Sequence, residues 1–159
     1  MHLSTPFRLI LSRQIHAEMI EHAQQDLPNE CCGLLAGQVS ETPSFVNFPM
    51  GIVMQRYPLI NDLASPLEFC SEPHSLFHAI HDMDARGWEI LAVYHSHPTT
   101  EPIPSRLDHE RNYSASVINL IISFSGGIPS VRAWWIDEMR YHEAEWQIID
   151  MIETMRMTE

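Results

Sequence analysis

The sequence predicts a single α/β domain, and three observations support this prediction. The chain has 159 residues, a length that suits one domain with a substantial core, and 45% of them are hydrophobic. Apolar runs of strand length alternate with stretches in which apolar residues recur at helical spacing. No repeat, linker or low-complexity segment divides the chain. We therefore expect one domain over residues 1–159, with a core at about residues 9–149 and a C-terminal tail at residues 150–159.

The first elements are a strand at residues 7–11 and a helix that begins after the N-cap residue Ser12 and ends near residue 26. Four apolar residues recur at helical spacing, which is typical of a face packed on a core: Ile15, Met19, Ala23 and Leu27. Strands are expected next at residues 31–36 and 44–48. Residues 49–66 mix prolines and a glycine with apolar residues, which predicts a long excursion with little regular structure and a candidate flap over a substrate groove.

The second half begins with a predicted short strand at residues 67–70 and a helix from Pro73 to Gly87. Four residues are expected on the buried side of this helix: Leu76, Phe77, Ile80 and Met83. The remaining predicted elements are strands at residues 90–96, 117–124, 131–136 and 140–142, a helix at residues 105–114, and a strand followed by a helix within residues 145–157. Three tryptophans are assigned to packing rather than to a ligand platform: Trp134, Trp135 and Trp146.

Three histidines of the second predicted helix offer one possible metal site. His74, His78 and His81 are spaced i, i+4 and i+7, so they share one helical face on which they could bind a metal. That face lies away from the apolar stripe of the helix, and no carboxylate spacing supports a site there. A solvated face is the better interpretation.

The overall charge and the cysteines exclude some functions. A formal charge of −12 and a pI near 5.1 argue against a nucleic-acid backbone or an anionic membrane as a partner, because both attract basic patches. Three cysteines without a C-x-x-C spacing favour a reducing compartment. No span approaches the roughly 18 apolar residues of a membrane helix. We therefore expect a cytoplasmic protein.

A second candidate metal site lies where the strand at residues 90–96 ends. His95 and His97 are two residues apart, so their imidazoles point to the same face of a strand and can converge on one ion. Ser105 has the position of a helix N-cap, and Asp108 falls in the first helical turn, where its carboxylate can lean back towards the strand. Two nitrogens and one oxygen suit Zn²⁺ with a fourth position left for water, which is typical of a catalytic site.

Each half of this pattern has an ordinary structural explanation when it is taken alone. Ser105 and Asp108 also fit a capping box, in which both residues satisfy helix N–H groups. Two histidines at a strand end are more often hydrogen-bonded residues than ligands. A His-x-His followed at this spacing by Ser-x-x-Asp, however, is expected by chance on the order of once in several hundred such sequences. The combined pattern therefore favours a zinc site, with one ion per chain.

The combined pattern resembles the signature of the JAMM (MPN+) zinc metalloprotease family, and in particular its prokaryotic-type members. The resemblance implies a single MPN domain with a curved mixed β-sheet flanked by helices, similar to the cytidine deaminase fold. It implies that His95, His97 and Asp108 hold zinc, and that Ser105 orients and stabilises the reacting centre. It also implies a glutamate as general base, for which the candidate is Glu30 at the entry to the second strand. Residues 57–66 resemble an asparagine-containing stretch of bacterial relatives.

The resemblance also implies an activity. Members of the family cleave isopeptide or peptide bonds at the C-terminus of ubiquitin-like proteins, so we expect a zinc metallopeptidase that acts on the tail of a ubiquitin-like or sulfur-carrier protein. That tail would lie along a strand edge as an added strand. Nucleophilic catalysis by Cys31 or Cys32 is disfavoured, because no histidine is adjacent in sequence. A homodimer is possible.

Two alternatives from other classes stay open at this point. A non-catalytic MPN scaffold would use the same fold to bind partners, although such scaffolds typically lack the metal ligands present in this chain. A zinc-dependent deaminase also pairs zinc with a glutamate, but its Pro-Cys-x-x-Cys signature is missing from the sequence.

Overall fold

One mixed sheet of eight strands organises the part of the chain that the structure describes, residues 7–40 and 48–150 of a computed structural model. The elements in chain order are β1 (Arg8–Ser12), α1 (Arg13–Asp26), β2 (Cys32–Ser40), β3 (Met50–Leu59), α2 (Pro73–Arg86), β4 (Glu89–His97), α3 (Arg106–Glu110), β5 (Ile118–Ser123), β6 (Ser130–Ile136), β7 (Tyr141–Glu143) and β8 (Trp146–Ile149). The strand order is β7-β6-β5-β4-β2-β3-β1-β8. The pairs β1/β3, β1/β8 and β4/β5 are parallel, and the others are antiparallel. The predicted α/β fold with a mixed sheet is confirmed.

The two long helices pack on different hydrophobic clusters of the sheet. Three residues of α1 are buried in a cluster that includes Leu35 of β2 and Tyr94 of β4: Ile15, Met19 and Ala23. Ala79 and Met83 of α2 pack instead with Cys32 and Leu34 of β2. Because side chains alternate along a strand, neighbouring residues of β2 serve the two clusters in turn. The sheet is therefore covered on both faces, which agrees with the apolar runs of its central strands.

Tyr94 explains why a glycine is required at position 33. Gly33 and Tyr94 are paired across β2 and β4, and the Tyr94 ring lies over the glycine. A Cβ atom at position 33 would come within 2.2 Å of the Tyr94 ring. No side chain fits at this position while Tyr94 keeps its place in the core.

The long excursion predicted at residues 49–66 is wrong for residues 50–59, which form β3, whereas residues 60–66 have little regular structure, as predicted. The proline that argued against a strand, Pro58, is tolerated for a positional reason. β3 pairs with β2 along its whole length, but with β1 only through residues 50–52. Pro58 therefore lies in a part of β3 that has only one neighbouring strand. Proline, which lacks an N–H group, is tolerated at such edge positions.

Several other predicted boundaries also change. Residues 67–70 are not a strand but part of a loop, residues 60–72, whose ends meet in a bridge between Asn61 and Ser71. The helix predicted at residues 105–114 ends at Glu110. The strand predicted at residues 44–48 lies almost entirely outside the described residues, as does the helix predicted within residues 145–157. The strand of that last segment is present as β8.

Some apolar residues predicted to be buried are exposed instead. Leu27 is 42% exposed because it is the C-cap of α1 and its backbone has already left the helix. Phe77 and Ile80 are 68% and 38% exposed, since Ala79 rather than either of them faces the sheet from α2. Trp134 and Trp135 are buried as predicted, and Trp146 packs partly buried against the core.

The C-terminal end of α2 and its polar face agree with the sequence predictions. Gly87 caps the helix with φ of 70°, a left-handed conformation that glycine adopts without strain. The three histidines His74, His78 and His81 are exposed, as expected for a solvated face. Within the described residues, no helix has the length and apolar character that crossing a membrane requires.

Candidate active site

The carboxyl end of β4 brings the two histidines of the His-x-His pattern together. His95 and His97 are only 1% and 3% exposed, and both side chains point to the same face of the strand. Their Nε2 atoms are 3.2 Å apart. The strand end is held in the sheet by β5, which pairs in parallel with residues 92–97. The two imidazoles therefore converge from a rigid, buried position.

Asp108 completes the cluster from the first turn of α3. Its Oδ1 lies 3.2 Å from His95 Nε2, and its Oδ2 lies 3.1 Å from His97 Nε2. The same residue belongs to a capping box, in which the Ser105 Oγ accepts a hydrogen bond from the Asp108 N–H and the Ser105 N–H donates to the Asp108 carboxylate. The capping box and the convergent cluster are thus not alternatives. The cap is what holds the carboxylate against the imidazoles.

The donor atoms of this cluster fit a small divalent cation. Two ligands about 2.0–2.1 Å from a tetrahedral ion lie about 3.3 Å apart, close to the three separations observed here. The Glu101 carbonyl lies 2.8 Å from His97 Nδ1, so a neutral His97 that donates there presents a lone pair on Nε2 to the centre. No other group of three or more potential metal ligands converges among residues 7–40 and 48–150.

Electrostatics at the cluster favour a positive charge beside Asp108. Burial alone would raise the pKa of Asp108, but the His95 charge and the hydrogen bonds from His95, His97 and the Ser105 N–H hold it well below its ordinary value. Burial would lower the pKa of His97, and the bonds to Asp108 and to the Glu101 carbonyl outweigh it and raise that pKa. A bound cation would supply the same neutralising charge as a protonated imidazole.

Glu30 lies beside the cluster, at the entry to β2. It is 5% exposed, and its Oε2 atom has no hydrogen-bond partner among the described residues. Its pKa is raised to about 8, chiefly by burial; His97 opposes this rise, and the negative charges of Asp108 and Glu68 add to it. The adjacent Cys31 N–H donates to the Ser96 Oγ at 2.8 Å, which ties this segment to β4 between the two histidines. A carboxyl poised near neutral pH is typical of a general base.

His95 is also supported by a residue from the loop at residues 60–72. The Phe69 ring stacks on the His95 ring with centroids 4.8 Å apart. His95 Nδ1 is buried and has no hydrogen-bond partner in the described part of the chain. The ring is therefore held by packing and by its contacts at Nε2.

Two cavities border the residues of this site. One of about 490 Å³ has largely apolar walls and is lined by residues that include Leu63, Phe69, Ile80, Val93, His95 and Asp108. Another of about 590 Å³ lies towards the C-terminal end of α1 and is lined by His22, Asp26, Asn29, Glu30, Pro58 and Asn61, among others. The cluster of His95, His97 and Asp108 borders the first cavity through His95 and Asp108, and Glu30 borders the second.

Cysteine chemistry is disfavoured by the environment of the thiols. Cys31 and Cys32 are buried, and burial raises the pKa of each thiol to about 12, so neither supplies a thiolate at neutral pH.

Sequence reasoning missed two supporting groups. Phe69 was assigned to a strand that does not form. Glu101 contributes only its backbone carbonyl, for which a residue pattern carries no signal.

The chain is similar to several known proteins. A family described as prokaryotic homologues of the JAB domain matches residues 12–137. A desampylase of Haloferax volcanii is 28% identical over 141 residues, which cover 86% of this chain and 94% of that protein. The CysO-cysteine peptidase of Mycobacterium tuberculosis is 31% identical over 109 residues, 65% of each chain. A solution structure of a Desulfitobacterium hafniense protein has 33% identity and a TM-score of 0.79, and the match covers 92% of this chain and 96% of that one.

Proposed function

Because the chain belongs to the family of prokaryotic homologues of the JAB domain, we propose that it is a zinc-dependent hydrolase of ubiquitin-like or sulfur-carrier protein conjugates. The relatives described above include a desampylase and a CysO-cysteine peptidase, and this chain is a hydrolase of the same type. The bond cleaved would be the isopeptide or peptide bond at the C-terminus of the carrier protein. The observation that carries the proposal is the buried cluster of His95, His97 and Asp108 with the carboxyl of Glu30 beside it.

The metal in this proposal is zinc, held by His95, His97 and Asp108. A donor set of two imidazoles and one carboxylate is typical of catalytic zinc, which leaves a position open for solvent or substrate. When bound, zinc supplies a Lewis acid and lowers the pKa of a coordinated water towards about 7.

The chain's own residues would handle the protons. Glu30 takes the proton of the attacking water and returns it to the leaving amine as the carbon–nitrogen bond breaks, so no covalent intermediate is needed. Its buried position supports this role, because burial raises the pKa of a carboxyl towards the neutral range, in which the group can both accept and donate a proton.

We assign Ser105 a supporting role at the reacting centre. Its Oγ already accepts from the Asp108 N–H, and its hydroxyl proton is not used by that bond. The hydroxyl can therefore donate to the oxygen of the carbonyl as it becomes negatively charged, an effect of about 3 kcal/mol for a well-placed donor.

The substrate of this proposal is an extended tail that ends at the cluster. The cavity of about 490 Å³ leads to His95 and Asp108, and its apolar walls would exclude water from the reacting bond. All three cysteines are free, which agrees with a reducing, cytoplasmic location.

The test is a cleavage assay with defined conjugates. Purified protein, loaded with zinc or treated with a chelator, is incubated with carrier-protein fusions that bear either a lysine-linked protein or a single amino acid, such as cysteine, at the C-terminus. We expect mass spectrometry to show the free carrier tail with the zinc-loaded protein, no product after chelation, and recovery when zinc is restored. The fusion that is cleaved fastest identifies the class of adduct.

Two outcomes would contradict the proposal. A purified protein that binds no zinc and cleaves no fusion would favour the non-catalytic scaffold. Release of ammonia from nucleosides without cleavage of any fusion would favour a deaminase. A Glu30→Gln protein serves as the control for a contaminating protease, because it should bind zinc and leave every fusion intact.

A further inference from the structure

Asn61, just after the end of β3, has a side chain that is fully engaged with backbone groups. It is 8% exposed. Its Nδ2 donates to the carbonyls of Glu30 and Glu68, both at 3.0 Å. Its Oδ1 accepts from the N–H groups of Leu63 and Cys70, both at 3.1 Å. An asparagine amide offers two donor hydrogens and an acceptor oxygen with two lone pairs, so this single side chain uses its full capacity.

Three of these four bonds shape the loop at residues 60–72. The loop ends are joined by the Asn61–Ser71 bridge and by the hydrogen bond from the Asp62 N–H to the Cys70 carbonyl at 2.8 Å. Leu63, Glu68 and Phe69 of this loop line the cavity of about 490 Å³, and Phe69 stacks on His95. The Asn61 amide therefore crosslinks the segment that forms one wall of the cavity.

The fourth bond ties this loop to Glu30, and a second bond does the same. The Glu30 carbonyl accepts from Asn61 Nδ2, and the Glu30 N–H donates to the Ser65 carbonyl at 2.8 Å. Both backbone groups of Glu30 are thus bonded to the loop, while its Oε2 atom has no partner among the described residues. The position of Glu30 depends on its backbone bonds rather than on a partner at that oxygen.

We propose that Asn61 is a positioning residue, which holds Glu30 and the Phe69 wall of the cavity in fixed relation to the His95, His97 and Asp108 cluster. This inference rests on the proposed function, because it treats Glu30 as the general base. The physical reason is that proton transfer requires hydrogen-bond reach, and a displacement of about 1 Å can cost about 100-fold in rate.

Two substitutions separate the bond to Glu30 from the closure of the loop. Asn61→Asp keeps an oxygen that can accept from Leu63 and Cys70, but it loses both donor bonds and places a negative charge against the carbonyls of Glu30 and Glu68. Asn61→Ala loses all four bonds. The control is Ser12→Ala, which removes the N-cap bond of α1 at a cost of about 1 kcal/mol and leaves the loop intact.

The first readout is amide hydrogen exchange, which requires no substrate. In zinc-loaded Asn61→Asp we expect the Glu30 N–H to exchange at least about tenfold faster than in the wild type, since the bond from Asn61 that holds the Glu30 backbone against the loop is lost. Amides of the central strand β5 should change no more than they do in Ser12→Ala. An unchanged Glu30 amide would refute the positioning role even if no fusion is cleaved.

The second readout is the cleavage of the best carrier fusion. We expect kcat to fall at least about tenfold in Asn61→Asp with the zinc content unchanged, and to fall further in Asn61→Ala, while Ser12→Ala keeps the wild-type kcat below its melting transition. Equal kcat in Asn61→Asp and Ser12→Ala would overturn the inference. An inactive wild-type protein would instead refute the proposed function, and the exchange experiment would still decide the role of Asn61.

Discussion

The two faces of β4 differ in how completely their polar groups are paired. On the face towards α1, the fully buried Tyr94 hydroxyl lies 2.8 Å from His22 Nδ1 and accepts from Arg56 Nη1 at 3.1 Å. At the site on the opposite face, His95 Nδ1 has no hydrogen-bond partner among the described residues. Tyr94 and His95 are consecutive residues of one strand. The polar group of Tyr94 is fully hydrogen-bonded, whereas that of His95 is only partly so.

This difference distinguishes a structural polar group from a functional one. Buried polar atoms are nearly always paired, because an unpaired one costs the folded state stability. The buried, unpartnered side-chain atoms within residues 7–40 and 48–150 are His95 Nδ1 and Glu30 Oε2, and both belong to the site. The unpaired buried polar atoms of the described residues are therefore found at the candidate active site. Substitutions on the two faces should accordingly have separable effects.

The largest effect is expected from removal of a metal ligand. Asp108→Ala or His97→Ala leaves two ligands in place of three, so zinc should be lost and cleavage should fall to background, a loss of at least about 1000-fold. Zinc per chain after dialysis and the rate of carrier release measure the two effects. Asp137→Asn is the matched control, since that carboxylate caps the turn before β7. Zinc retained at the wild-type level in Asp108→Ala would show that Asp108 is not a ligand.

The next effect is the loss of the general base without the loss of the metal. Glu30→Gln preserves the shape of the side chain but cannot accept a proton, so we expect the wild-type zinc content and a kcat lower by about 100-fold to 10,000-fold. Single-turnover cleavage with enzyme in excess separates this chemical step from product release. Turnover that remains within about threefold of the wild type would remove Glu30 from the mechanism.

The pKa of Glu30 also predicts how the stability of the metal-free protein depends on pH. Burial raises that pKa from 4.5 to about 8, so the folded protein holds a proton that the unfolded chain releases. The stabilisation is complete below the unfolded value and is lost as the pH rises through about 8. Glu30→Gln should therefore melt a few degrees above the metal-free wild type at pH 8.5, and this advantage should shrink towards pH 4.5. An advantage that is independent of pH would contradict the assigned pKa.

The sequence predicted the convergence of His95, His97 and Asp108 more reliably than the surroundings of these three residues. His95 and His97 are brought together by the period of a strand, and Asp108 by a helix cap, so local geometry brings the donors close. Glu30 was identified only through the family resemblance, because a glutamate beside a proline turn has no local sequence signature of burial. The hydrogen bond between Asn61 and the Glu30 carbonyl joins residues that are 31 positions apart in the sequence, so no local pattern indicates it.

The failed predictions have a related cause. The prolines of residues 49–66 argue against a strand unless the strand has an unpaired edge at the proline. The sequence does not show where such an edge lies, so β3 was not predicted. The burial of Phe77 and Ile80 was inferred from helical spacing, but which side of α2 meets the sheet depends on the path of the chain through residues 60–72. Tertiary contacts decide which side of a helix or which edge of a strand is covered, and local sequence patterns carry no information about those contacts.

The smallest effect on catalysis is expected on the α1 face of β4. Tyr94→Phe keeps the ring over Gly33 but removes the hydroxyl that His22 and Arg56 contact, so we expect a loss of about 1–2 kcal/mol in the free energy of unfolding. Zinc content should be unchanged and kcat should stay within about twofold of the wild type, because the cluster lies on the other face. Denaturant unfolding and the cleavage assay measure these quantities, with Tyr141→Phe on the exposed strand β7 as control. A fall in kcat as large as that of Glu30→Gln, without loss of stability, would show that the two faces of β4 are not independent.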